Sequence, residues 1–157
     1  MRRFWKILRS DLGDEDVKTL MHMAYQDEFD ISQRALYDNY NSTFHYLVLA
    51  NQPNLLRHVL DNQFDLQILN SKNHAGQTAL HMACILVANG CGLTESFKVL
   101  LEYRADPNFK DNRKNTCLHY LVKTGSKSII SDFISHSQVE VDITLRDERG
   151  KMAYQYS

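Results

Sequence analysis

An apolar residue followed by histidine recurs along this chain at nearly constant spacing, and no other feature constrains the fold as much. Leu80-His81 is matched by Phe44-His45 and Leu118-His119, with a degenerate copy at Tyr154-Gln155. The copies stand 36, 38 and 36 residues apart. Such a period means stacked helix-turn-helix units, each burying its apolar face only against its neighbours. The product is a quasi-linear core with a long exposed surface, so surface recognition is the default function.

The residues around each landmark supply the local chemistry. Thr78 and Thr116 stand two residues before the apolar position, where a hydroxyl can N-cap the first helix of a unit. Asp111 and Asp147 lie three residues before a turn position and suit Asx-type turns, while Gly76 and Gly150 can supply a positive φ there. The small Ala83 lets paired helices approach closely. Pro53 suits the first residue of a second helix, whose apolar face is Leu55, Leu56, Val59 and Leu60. The corresponding faces are Phe97, Val99, Leu100 and Leu101, then Ile129, Ile130, Phe133 and Ile134. Three similar faces imply one continuous core.

These motifs resemble the ankyrin repeat family over residues 37 to 157, although its usual period is about 33 residues. The second copy carries most of the likeness, through Asn73, Gly76, Thr78, Leu80, His81 and Ala83, then Leu100, Leu101, Ala105, Asp106 and Asn108. The third keeps Asp111, Thr116, Leu118, His119, Gly125, Ile129 and Ile130, but has Lys114 for the turn glycine and Leu121 for the usual alanine. The first keeps Thr43, Phe44, His45 and Asp65 and loses most of the turn; the last keeps Asp147 and Gly150 and stops inside its first helix. The resemblance implies an all-α ankyrin-repeat solenoid of three to four repeats: an N-terminal helical cap over 1–37, and a repeat domain over 38–157 divided at 38–70, 71–108, 109–144 and a partial 145–157. In the cap, Asp14, Glu15 and Asp16 favour the start of a helix carrying Val17, Leu20, Met21 and Ala24, and Ile31, Ala35 and Leu36 suit a second short helix. Phe4, Trp5, Ile7 and Leu8 are the alternative there, an aromatic docking motif.

A chain of 157 residues with 43% apolar content can form one compact domain without disulfides. Its net charge of −1 gives no bulk basic surface for direct nucleic-acid binding. Cys84, Cys91 and Cys117, odd in number and irregularly spaced, read as reduced thiols, with Cys91 in an insertion at Val87–Leu93. No apolar run approaches about 20 residues and the opening run is short for a signal peptide, so no membrane contact is expected. The expected location is the cytoplasm or nucleus, and the unbound chain is expected to be a monomer.

His45, His81 and His119 would lie one repeat apart, on the order of 10 Å, too far to share a metal with nitrogen bonds of about 2 Å. The resemblance gives them a structural role, bonding backbone between neighbouring turns. No CxxC pair, GxxxxGK[ST] loop, GxSxG elbow or HExxH is present. The expectation is a non-enzyme without catalytic residues, metal or cofactor.

The same resemblance places the fifth and sixth residues after each landmark on the concave surface: Leu49 and Ala50, Ile85 and Leu86, then Lys123 and Thr124. Turn tips carry Lys72, His74 and Gln77, then Lys110, Arg113 and Asn115, then Arg146, Arg149 and Lys151 beside Glu148. Residues 41–60, NSTFHYLVLANQPNLLRHVL, further resemble a repeat of the IκB family through Asn51-Gln52-Pro53. The short chain is also similar to the IκB-like ankyrin proteins of insect DNA viruses. That resemblance implies a Rel-homology transcription factor as partner and inhibition of NF-κB. Lacking a DSGxxS phosphodegron and an acidic tail after Ser157, the inhibitor is expected to act constitutively. The basic residues near the C-terminus depart from the acidic tail that would help strip the factor from DNA. The competing reading is a general ankyrin adaptor or effector, for instance one recruiting a ubiquitin-ligase substrate.

Overall fold

The computed structural model describes Glu15, Thr19 and residues 34–35, 40–62, 65–91 and 94–156. A two-residue hairpin pairs β1 (Arg34–Ala35) antiparallel with β2 (Asn41–Ser42). Three helix pairs follow: α1 (Thr43–Leu49) with α2 (Pro53–Asn62), α4 (Ala79–Ala88) with α5 (Thr94–Glu102), and α6 (Cys117–Leu121) with α7 (Lys127–His136). A one-turn helix α3 (Leu66–Leu69) lies between the first two pairs, and 3-10 turns occupy Val122–Thr124 and Ala153–Tyr156.

The pairs stack in two layers. The first helices form one layer, α4 packing on α1 and α6, with the Ala153–Tyr156 turn against α6. The second helices form the other, α5 packing between α2 and α7. Phe44, Leu47, Leu55, Leu56, Leu60, Leu80, Phe97, Leu100 and Phe133 are buried in one core running through both layers. The aromatic rings of Phe97 and Phe133, 5.5 Å between centroids, carry it across the last two pairs. Burial of such side chains is worth about 1.5–3 kcal/mol each against leaving them exposed, and no pair could bury its set alone.

Each first helix begins with the same reciprocal cap. Ser42, Thr78 and Thr116 occupy the N-cap, and the histidine three residues on accepts from the N-cap backbone N–H. In the first repeat the cap is Ser42, and Thr43 is buried one position inside the helix with its hydroxyl unbonded. In the fourth copy Gln155 Oε1 accepts from Met152 N at 2.7 Å, an amide doing what the imidazole does elsewhere. Tyr154, the landmark of that copy, is 54% exposed where Leu80 is 1% exposed, because only a 3-10 turn forms there.

Some expectations are corrected. Ala35 lies in a strand, not a short helix, because its backbone pairs with Asn41. Of the first turn, Tyr40, two residues before the cap, keeps the left-handed corner with φ 58°, as Gly76, Lys114 and Gly150 have 74°, 62° and 74° at the equivalent places, and residues 36–39 lie outside the described residues. Val87 is not inserted chain, since α4 runs through Ala88 and Val87 is in the core. A Schellman-type end then closes the helix, with Gly90 N bonded to Val87 O and Cys91 N to Leu86 O. Gly92 and Leu93, the end of the supposed insertion, lie outside the described residues. So do Val17, Leu20, Met21, Ala24, Phe4, Trp5, Ile7, Leu8, Ile31 and Leu36. Glu15 and Thr19 are helical, with Thr19 Oγ1 donating to Glu15 O at 2.9 Å.

Gly76 and Gly150 share the left-handed corner but not the surroundings. A Cβ on Gly76 would sit 2.4 Å from Asn112 Oδ1 and 2.8 Å from Asn112 N, whereas one on Gly150 would meet nothing within 4 Å. Gly150→Ala is expected to cost about 1–2 kcal/mol from backbone strain, and Gly76→Ala distinctly more, since it must also push neighbouring tips apart. Urea unfolding of both variants checks the order; equal losses would mean that the close approach at Gly76 does not bear on stability.

Candidate protein-binding surface

The tips and the first-helix layer present the candidate surface, and three buried histidines hold it in place. Nε2 of His45, His81 and His119 lies 2.7, 3.1 and 2.9 Å from the carbonyl oxygens of Gln77, Asn115 and Lys151, each on the next tip. A carbonyl only accepts, so Nε2 donates. Nδ1 faces the N-cap backbone N–H of Ser42, Thr78 or Thr116 at 3.0, 3.2 and 3.2 Å, so it accepts. Each ring is thus the neutral Nε2–H tautomer, assigned from its partners. Burial lowers the His81 pKa, in the direction this geometry requires.

Within each tip one side-chain oxygen folds the turn. Asn73 Oδ1 accepts from Ala75 N and Gln77 N, Asp111 Oδ1 from Arg113 N and Asn115 N, and Asp147 Oδ1 from Arg149 N and Lys151 N, all at 2.9–3.1 Å. The second carboxylate oxygens of Asp111 and Asp147 accept from the hydroxyls of Tyr120 and Tyr156. Burial, then the bond to Asp111, pushes the Tyr120 hydroxyl up to about 12. Neighbouring tips also bond directly: Asn112 N to Ala75 O at 3.1 Å and Asn112 Nδ2 to His74 O at 2.8 Å.

Several tip residues singled out from the sequence therefore serve the stack as well as the surface. Lys72 Nζ donates to Lys110 O at 2.8 Å and lies over the Phe109 ring. The His74 ring stacks on Tyr40, 5.3 Å between centroids. Gln77 and Asn115 supply the carbonyls that His45 and His81 hold. Arg113 is exposed at the third tip.

On the first helices, Leu49 is 44% exposed and Ile85 is half-buried. Ala50 and Leu86 are half-buried and pack against the core, so they contribute less free surface than the sequence suggested. Lys123 is exposed, and Thr124 turns its hydroxyl to Leu121 O at 2.8 Å. The surface thus changes from apolar at Leu49 and Ile85 to cationic at Lys123.

Sequence reasoning missed a second ladder at the other end of the repeats. Asn70 Oδ1 accepts from Asp106 N at 3.0 Å, and Asn108 does the same for Asp142 N at 2.8 Å while its amide donates to Glu140 O. The recurrence of asparagine at 70 and 108 was the available signal. Cys84 and Cys117 are buried and Cys91 is exposed; all three are free, and burial pushes the Cys84 thiol well up. Among the described residues no cluster of three or more His, Cys, Asp or Glu is placed to hold a metal, and no helix is long and apolar enough to cross a membrane.

Paired helices in two layers, with His-bridged tips at a constant interval, define an all-α ankyrin-repeat solenoid, a protein-binding scaffold. Residues 75–112 match the ankyrin repeat. The chain is 34% identical over 83 residues to the inactive serine/threonine-protein kinase TEX14 of Bos taurus, covering 53% of this chain and 5% of that protein. It is 44% identical over 55 residues to an ankyrin repeat protein of Acanthamoeba polyphaga mimivirus, covering 35% and 12%. It is 35% identical over 75 residues to Rabankyrin-5 of Mus musculus, covering 48% and 6%. The chain thus spans only a small part of the length of each.

A histidine that must be neutral ties stability to pH. The His81 pKa is lowered in the folded state, so its unfolded form takes up the proton first. Its contribution is complete above the ordinary value of about 6.5 and is lost as pH falls below that toward the lowered one. The melting temperature is expected to drop between neutral pH and pH about 5, and His81→Gln, copying Gln155, to flatten that slope. Melts of both proteins across this range are the check; parallel slopes would remove His81 from the effect.

Proposed function

We propose that this scaffold is an IκB-like constitutive inhibitor that binds a Rel-homology transcription factor and suppresses NF-κB signalling, acting in the cytoplasm or nucleus without catalysis. The observation that carries the reading is the apolar pair Leu49 and Ile85, presented at equivalent positions of adjacent repeats. Adjacent first helices lie about 8–10 Å apart, the distance spanned by about three residues of an extended segment. Two apolar side chains of a partner spaced accordingly would cover both positions. The likeness of residues 41–60 to an IκB repeat supports a Rel-homology region as that partner, since Leu49 belongs to that segment.

Leu49→Ser with Ile85→Ser is expected to weaken capture of a purified Rel-homology domain at least about tenfold, roughly 1.4 kcal/mol, with little change in melting temperature. Leu86 is left intact because it packs on the core. The wild type is also expected to keep an NF-κB reporter low and to persist after a stimulus that destroys the host's IκB. A well-folded wild type that neither bound a Rel-homology protein nor lowered the reporter would leave the adaptor role in its place.

A further inference from the structure

The last two tips enclose a cleft of about 190 Å³ lined by Arg113, Asn115, His119, Lys123, Asp147, Glu148, Arg149 and Tyr156. Its charges are unequally committed. The buried Asp147 carboxylate is spent on Arg149 N, Lys151 N and the Tyr156 hydroxyl, all in its own repeat. Among the described residues, Arg113, Lys123 and Arg149 form no ion pair with a carboxylate; the ion pairs there join Arg57 to Glu102, and Lys98 to Glu95 and Asp132. Lys123 Nζ lies over the Tyr120 ring, 5.2 Å from its centroid.

The preceding repeat shows that this charge is local. At the turn position of Arg113 and Arg149 the second repeat has Ala75, and at the helix position of Lys123 it has Ile85. Three cations therefore converge at one end of a chain whose net charge is −1. An Arg fork can take a carboxylate through two parallel N–H bonds, and does so best where walls limit water.

We infer that the cleft between the tips at 111–115 and 147–151 receives an Asp- or Glu-rich segment of a protein partner, with Arg113 and Arg149 gripping carboxylates and Lys123 adding charge. A nucleic acid fits less well, because a phosphate backbone favours a continuous basic stripe, and these cations are gathered in one cleft of a chain whose net charge is −1. The site uses neither Leu49 nor Ile85 and stands independently of the Rel-homology reading.

The test is fluorescence anisotropy of the full chain with labelled decaglutamate, decaglutamine and oligothymidylate at low and high salt. Decaglutamate is expected to bind at least about tenfold tighter than decaglutamine, more weakly as salt rises. Arg113→Gln with Arg149→Gln is expected to reduce that binding at least about tenfold, without lowering the melting temperature, while Leu49→Ser with Ile85→Ser leaves it unchanged. Should the arginine pair prove unstable, Lys123→Gln on its own is expected to weaken decaglutamate severalfold. Decaglutamate binding no tighter than decaglutamine, loss confined to unfolded variants, or oligothymidylate binding as tightly as decaglutamate would each overturn the assignment.

Discussion

Everything this surface can do depends on one imidazole in each of the first three repeats, bonded on both sides. Each buried histidine accepts from the N-cap amide of its own first helix and donates to a carbonyl on the following tip. Helix start and tip position are therefore set by the same ring. No aliphatic side chain could replace it, because both backbone groups would be left unbonded in a dry site, at about 1–3 kcal/mol each. Repetition makes the device propagate: the carbonyls of Gln77 and Asn115 are held from the repeat before, while His81 and His119 hold the repeat after.

The solenoid was legible because its grammar is periodic and local. Helix starts at Thr78 and Thr116, the Pro53 start of α2 and the apolar faces of α2 and α5 follow from propensity and spacing, whereas in α7 only Phe133 is fully buried and Ile134, expected on the same face, is 44% exposed. What escaped was non-local or carried by atypical residues. Tyr40 occupies a left-handed corner that glycine would announce, so the corner of the first repeat is invisible in composition, whereas the same corner at Lys114 is found only by counting from Asp111. Ala35 reads as helical in isolation, and only its pairing with Asn41 makes it strand.

The candidate surface was legible less evenly. Counting five residues past the landmark finds Leu49, Ile85 and Lys123, the positions with free surface. Counting six gives Ala50, Leu86 and Thr124, of which the first two pack on the core and the third bonds its own helix end. One step along a helix turns the side chain by about 100° toward the core, so a repeat alignment alone blurs surface with core. Tip residues blur for another reason: Gln77 and Asn115 are bound through their carbonyls, which any residue would supply.

The stack therefore separates what must repeat from what is free to vary. The cap, the histidine and the Asx oxygen recur because each completes buried backbone bonds, and the positions between them carry no such duty. It is in those positions that Ala75 gives way to Arg113 and Arg149, and Leu49 and Ile85 give way to Lys123. A partner lying along the stack would meet apolar surface first and cations last, so an extended segment with apolar residues at one end and acidic ones at the other would match it in only one direction. Orientation of the partner would then be chosen by charge, which costs dearly when like faces like, while the apolar end supplies contact area.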